Sequence, residues 1–233
     1  MTLGSLHPIT QYLRRAMDLF TRQGFDVVDS PEVTTEQHNF DDLLIPADHP
    51  ARSMVDQFYL KDGRLPRAHT SAHQIPSMLK RTPPVRLIIP GRVFRNEATD
   101  STHEIMFYQL EGFVIDTAVS LARLKGTLEL FLKQMYGAEI PVRFVPSYFP
   151  FVEPGLEVFI QVNGRWLEMA GAGMIHPGVL QNMGVDPEQY QGFAFGLGID
   201  RLVSVSYGID DIRHFYSGNL RFLRQFCETS TEH

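Results

Sequence analysis

The chain has a single cysteine, Cys227, near its C-terminus. Neither a disulfide framework nor a thiolate metal cluster can be built from that within one chain, which fits a reducing, cytoplasmic setting. Long apolar runs are also missing. No stretch approaches the roughly 20 apolar residues of a membrane span, and Met1 to His7 lacks the charged and apolar regions of a secretory signal. A soluble protein with no membrane partner is expected. Excess positive charge is absent too: the formal net charge is -6 at pH 7. That argues against a free-standing domain that holds nucleic acid mainly by neutralising phosphates. There is no internal repeat, low-complexity tract or Gly/Ser linker, so residues 1–233 are expected to form one compact unit. With 43% apolar side chains in 233 residues, such a unit can bury a sizeable core.

The average charge hides an asymmetry. From Asp26 to Asp56 there are eight acidic residues and one basic residue, Arg52. From Lys61 to Arg95 there are eight basic residues and one acidic residue, Asp62. The second segment either handles an anion or is an exposed, solvated charge run.

Ile9, Leu13, Ala16, Met17 and Phe20 recur at helical spacing, and Gly24 stands where a helix end favours a residue tolerant of left-handed dihedrals. Phe25 to Val28 then reads as a short strand stopped at Ser30-Pro31. Leu87 to Phe94 and Ile105 to Ile115 are rich in β-branched and aromatic residues, with a polar loop from Glu97 to Glu104 between them. This predicts a long antiparallel hairpin. A second helix carries the stripe Leu121, Leu124, Leu128, Phe131, Leu132 and Met135, with Ser120 as its N-cap. Val142 to Val145, Glu157 to Val162 and Trp166 to Ala170 read as strands, the last two joined by an Asn163-Gly164 turn. Asn219 to Phe226 reads as helical. Strands joined by tight turns, with helices grouped elsewhere, indicate an α+β domain rather than alternating βαβ units.

Two stretches carry chemistry. In the first, Gly91 to Glu97 is followed after a loop by Phe107 to Gly112. Period-two alternation puts Phe107, Gln109 and Glu111 on one face, and Arg95 and Glu97 likewise share a face of the facing strand. Such groups are costly to bury unpaired, so the face is either the polar floor of a pocket or a solvent-facing surface with cross-strand ion pairs. In the second, Gly192 to Leu202, glycines permit close backbone approach and Arg201 begins a helix, where it can reach a phosphate. Taken alone, this reads rather as a tightly packed strand entering a helix with an exposed arginine at its end.

In order along the chain, these residues resemble a known family. Gly24-Phe25 leading to Pro31, the Phe94-Arg95-Asn96-Glu97 strand with its Phe107 to Gln109 return, and Gly196-Leu197-Gly198-Ile199-Asp200-Arg201 look like motifs 1, 2 and 3 of class II aminoacyl-tRNA synthetases. Other runs resemble the alpha subunits of phenylalanyl-tRNA synthetases. They are His49-Pro50-Ala51-Arg52, His69-Thr70-Ser71, Tyr148 to Pro154, Gly171-Ala172-Gly173-Met174 with His176-Pro177, and Tyr207 to Arg213. The resemblance spans about Leu6 to Phe226. It implies a class II catalytic core, a mixed but mainly antiparallel β-sheet flanked by helices, that uses ATP and Mg²⁺ to activate phenylalanine and charge tRNA(Phe).

By the same resemblance, Arg95 contacts the α-phosphate, and Arg201 approaches the γ-phosphate and helps to sandwich the adenine against Phe107. Glu97 and His103 assist at the adenine and phosphates, and Glu168 is the candidate metal ligand. Phe149 and Phe151 pack on the substrate ring, on the same side of an extended segment. Ala194 lines the far end of the pocket, while His69, Ser71, Gln74, Gln109 and Glu111 hold the ammonium and carboxylate. The family also implies a beta subunit in an α2β2 heterotetramer, or a homodimer through motif 1. The family's coiled-coil arm and the anticodon-binding domain of its single-chain organellar form have no counterpart here, so an acidic core is expected to bind tRNA poorly alone.

Some residues depart from the pattern. Ser71-Ala72-His73-Gln74 has the form of a capping box, yet Pro76 follows closely, so a distorted or delayed helix is expected. His69 and His73 have a spacing that suits zinc but lack a third ligand, and are read as substrate contact and surface residue respectively. Asp200 stands where many family members carry glutamate. Two other functions remain open: a relative that adenylates an amino acid for a non-tRNA acceptor, and a non-catalytic amino-acid sensor. Retention of Arg95, Glu97, Phe107 and Arg201 counts against the sensor.

Overall fold

A computed structural model describes residues 4–52 and 57–226, so Cys227 and the first residues of the N-terminal segment lie outside the described residues. Helix α1 (Pro8–Arg22) starts on a proline, which needs no backbone donor there, with the His7 ring accepting from the Ile9 N–H at 3.3 Å. It ends before Gly24, whose φ of +84° turns the chain out. Its buried stripe is Ile9, Tyr12, Ala16 and Phe20; Leu13 and Met17 lie partly buried beside it. Strand β1 (Asp26–Val27) follows. A two-stranded ribbon, β2 (Val33–Thr34) with β3 (Leu65–Pro66), brackets the short helix α2 (Glu36–Asn39).

The anticipated distortion occurs at Thr70–His73, a 3-10 turn that leads into α3 (Gln74–Met78). No side chain caps either turn, so the capping-box reading is corrected: Ser71 and Gln74 bond elsewhere, as described below. His73 is also corrected. It is buried rather than on the surface, with its ring 3.4 Å from an Arg67 nitrogen, because the 3-10 turn packs this side against the sheet.

The long hairpin forms from β4 (Val85–Phe94) and β5 (Met106–Asp116). Strand β4 stops at Phe94, so Arg95 and Glu97 stand just past the regular ladder, although the Arg95 N–H still donates to the Ile105 carbonyl at 2.9 Å. Helix α4 (Leu121–Tyr136) is capped by the Ser120 hydroxyl, as its sequence predicts. Strands β6 (Val142–Phe149), β7 (Val152–Val162) and β8 (Arg165–Ile175) are longer than local propensity suggests. Their added residues include Pro146, Gly171 and Gly173, poor strand formers that pairing with neighbours overrides. Helix α5 (Pro177–Asn182), β9 (Gln191–Gly198), α6 (Ile199–Tyr207) and α7 (Leu220–Leu223) complete the regular elements.

The main sheet has the order β1-β4-β5-β9-β8-β7-β6, with only the β1 to β4 pairing parallel. Strand β9 lies between β8, the strand before it in the chain, and β5, which comes much earlier in the sequence. Alternation along β9 sends Phe193, Phe195 and Leu197 into a core under α1, α4 and α6, where Phe20 stacks on Phe131 and Phe195 at 4.7 and 5.2 Å. A second apolar core covers part of the opposite face, with Phe113 and Ile115 of β5 and Ala194 of β9 meeting Phe40, Ile75 and Leu180.

The basic run does not act as one surface. Arg64 pairs with Asp62 and Arg92 with Glu32, Arg67 is buried, and Arg95 faces a cavity.

Candidate active site

Beside the second core, the same sheet face carries polar residues and glycine, and there a cavity of about 490 Å³ opens. The register sets its axis. Gln109 pairs with Gly198, Glu111 with Gly196 and Phe113 with Ala194. Phe107 to Phe113 is six steps along the strand, or about 20 Å, so the cavity has length enough for a nucleotide and a small second molecule. The glycines keep its floor low, and the pocket-floor reading of Phe107, Gln109 and Glu111 is the one the structure adopts.

Arg95 and Arg201 both line this cavity, although 106 positions separate them in the chain. Arg95 is half-buried, its guanidinium 5.0 Å above the Phe107 ring. Its Nε donates to the Ala68 carbonyl at 3.1 Å, and Glu97 is 3.9 Å away. Arg201 sits exposed on the first turn of α6. His103 also lines the cavity, from the exposed loop after β4, where Asp100 accepts from its ring side at 3.1 Å. This end therefore presents two cations and an aromatic face.

Glu111 is buried farther along. Ser71 Oγ donates to one of its oxygens at 2.7 Å and Gln74 Nε2 donates to the other. Burial raises its pKa to about 7 despite those two donors. Ser71 also lines the cavity, whereas Gln74 stands behind Glu111, away from the lining. Gln109 accepts the Thr70 N–H at 3.2 Å, tying the floor to this segment. The His69 ring lines the cavity with its pKa pulled to about 3, first by burial and then by the Arg95 charge, so it stays neutral.

Phe149 ends β6 and Phe151 lies within the tight turn to β7, which replaces the extended segment expected from the sequence. The turn still leaves both rings on the cavity, with centroids 5.9 Å apart and planes inclined by 27°. Phe149 lies over Gly171, where an added Cβ would come 3.2 Å from its Cζ. Gly171 pairs with Gly196, so the ring sits above the row that holds Glu111. Ala194 closes the far end.

Glu168 is exposed at the cavity rim, and Glu104 also lines it. Among the described residues no group of three or more His, Cys, Asp or Glu could hold a metal ion by itself. A magnesium ion that keeps its waters and takes phosphate oxygens needs only one or two carboxylates, and these residues fit that mode alone.

Sequence reasoning noted Asp200 only as a minor change. It is buried, its carboxylate accepts the Tyr108 N–H at 2.7 Å and the Tyr216 hydroxyl, and burial raises its pKa to about 6 against both bonds. A buried carboxylate between glycines and an apolar helix needs a donor, which was the available signal. Nothing local pointed to Tyr216.

Among the described residues, no helix is long and apolar enough to cross a membrane. The family model for the tRNA synthetases class II core domain (F) matches residues 1–226. Phenylalanine–tRNA ligase alpha subunit from Synechocystis sp. is 50% identical over 223 residues, covering 96% of this chain and 67% of its own length. That from Legionella pneumophila is 52% identical over 235 residues, covering 96% and 69%. That from Xylella fastidiosa is 49% identical over 228 residues, covering 96% and 68%.

Proposed function

Since the chain belongs to the class II core-domain family of tRNA synthetases, we propose that it activates L-phenylalanine with ATP and transfers the phenylalanyl group to tRNA(Phe). The observation that carries this reading is the convergence of Arg95, Arg201 and Phe107 on one cavity that also holds Glu111 and the Phe149–Phe151 pair. The alpha-subunit relatives support the choice of amino acid. Residues 1–233 act as one catalytic domain, because both apolar cores share a single sheet.

Glu111 receives the substrate ammonium, and the Phe149–Phe151 pair holds the ring, with Ala194 leaving room at its para position. His69, Ser71, Gln74 and Gln109 order the ammonium and carboxylate, Gln74 through Glu111. One carboxylate oxygen of phenylalanine attacks the α-phosphorus of ATP. The bond to the bridging oxygen breaks and pyrophosphate leaves with that electron pair, giving phenylalanyl-adenylate. Arg95 neutralises charge that builds at the α-phosphate, while Arg201 holds the γ-phosphate and the nucleotide's outer side. Phe107 stacks on the adenine; Glu97 and His103 order the adenine and phosphates. Bound Mg²⁺ would neutralise phosphate oxygens, with Glu168 as the chain's ligand. Catalysis is then mostly positioning and fixed positive charge. In the second step the 2'-hydroxyl of the terminal adenosine attacks the acyl carbonyl and expels AMP.

A beta subunit in an α2β2 assembly supplies the tRNA grip that an acidic core lacks. Phenylalanine-dependent exchange of pyrophosphate into ATP, run on this chain with and without a beta subunit, tests the reading. Exchange specific to phenylalanine, and charging of tRNA(Phe) with beta present, are expected. No exchange in either sample refutes it.

A further inference from the structure

Asp200 ties together the two walls between which, on the reading above, the nucleotide binds. It sits in the first turn of α6, one residue before Arg201, and is 3% exposed. One carboxylate oxygen accepts the backbone N–H of Tyr108 at 2.7 Å, one residue after Phe107. The other accepts the hydroxyl of Tyr216. Arg201 and Phe107 are therefore each one residue from an end of the same hydrogen-bonded link.

Tyr216 follows the 3-10 turn Ile212–Phe215, part of a segment that wraps this side of the cavity. The Ile212 N–H donates to the Ser101 carbonyl at 3.0 Å, so the segment also clasps the loop that carries His103. The Tyr216 ring packs against the core beneath the sheet. Its hydroxyl is thus held by its own ring in a fixed place, where it donates to the carboxylate. A buried aspartate with two donors from two different elements has one orientation; with one donor it can rotate. Rotation would let the start of α6 shift against β5, and Arg201 against Phe107.

We propose that Tyr216 is a positioning residue for the nucleotide: through Asp200, its hydroxyl sets the placement of Arg201 relative to Phe107. This rests on the assignment of those two residues to ATP. The role is selective, because the groups assigned to phenylalanine (Glu111 of β5, Ala194 of β9, the Phe149–Phe151 pair and the Thr70–Gln74 turn) include neither Asp200 nor Tyr108, the residues that the link joins.

Tyr216→Phe removes the hydroxyl and keeps the ring, so the packing that folds the segment is retained. The expected result is a roughly tenfold rise in the Kd for ATP by calorimetry and in the KM for ATP in exchange, the loss of one hydrogen bond to a charged group. The KM for phenylalanine should stay within about twofold. Asp200→Asn, which can keep both partners but loses the charge that strengthens their bonds, should give a smaller ATP-selective loss. In that background Tyr216→Phe should cost less than it does alone, since both substitutions act on one link. If Tyr216→Phe leaves ATP affinity unchanged, raises both KM values alike, or adds its full effect to Asp200→Asn, the proposal is overturned and the functional reading stands. If the unsubstituted chain neither binds ATP nor supports exchange, both fall.

Discussion

Glu111 is read as serving two ends that conflict: its burial disfavours folding as a carboxylate, while the substrate ammonium requires that charge. Its pKa is raised from 4.5 to about 7, with burial as the main cause. Each unit corresponds to about 1.36 kcal/mol, so the charged form costs the fold roughly 3 kcal/mol above pH 7. In the folded state the acid holds its proton more tightly than in the unfolded state. Stability from this group is therefore full below about pH 4.5 and is lost as pH rises through about 7. Glu111→Gln removes that loss. The amide oxygen can accept from Gln74, and the Ser71 hydroxyl can rotate to accept from the new NH₂, so no buried group is orphaned. In urea unfolding at pH 8 the variant should be more stable by up to roughly 3 kcal/mol, and at pH 4.5 the two should converge. At pH 8 its kcat/KM for phenylalanine in exchange should fall about 100-fold or more, because the bound ammonium loses its counter-charge. A stability difference that does not change with pH would refute the desolvation argument. Undiminished exchange would refute the assignment of the ammonium to Glu111.

Other expectations follow from the same geometry. Ala194→Gly enlarges the closed end of the cavity, so para-substituted phenylalanines should become substrates in exchange; unchanged discrimination would mean the ring binds elsewhere. Arg201→Ala should reduce exchange about 100-fold or more while urea unfolding shifts by no more than about 0.5 kcal/mol, since this arginine is exposed. Gly112→Ala would set a Cβ 2.1 Å from the Phe195 ring, which is stacked on Phe20 and cannot swing away. It should destabilise the fold by about 2–4 kcal/mol, measured by urea unfolding, and a neutral result would show that the core yields there.

Local patterning alone determined much of this protein. The stripes of α1 and α4, the Ser120 cap, the Asn163-Gly164 turn and the long hairpin depend on neighbours within a few residues, where periodicity and turn chemistry act. Alternation in β5 also put Phe107, Gln109 and Glu111 on one face, because strand geometry requires it. What those faces meet was decided by the tertiary structure. Placement of β9 between β5 and β8 brings Arg201 to the cavity of Arg95, where Gly155 of β7 and Gly171 of β8 make room for Phe149. Ser71 and Gln74 had the local form of a helix cap but donate to Glu111 instead, because a buried carboxylate is costly unless donors satisfy it. His73 was drawn inward by the same turn, and Tyr216 reaches Asp200 from beyond the end of α6. These hydrogen bonds join residues 16 to 40 positions apart. No short window of sequence encodes them, since their energy comes from burial that exists only once the sheet has assembled.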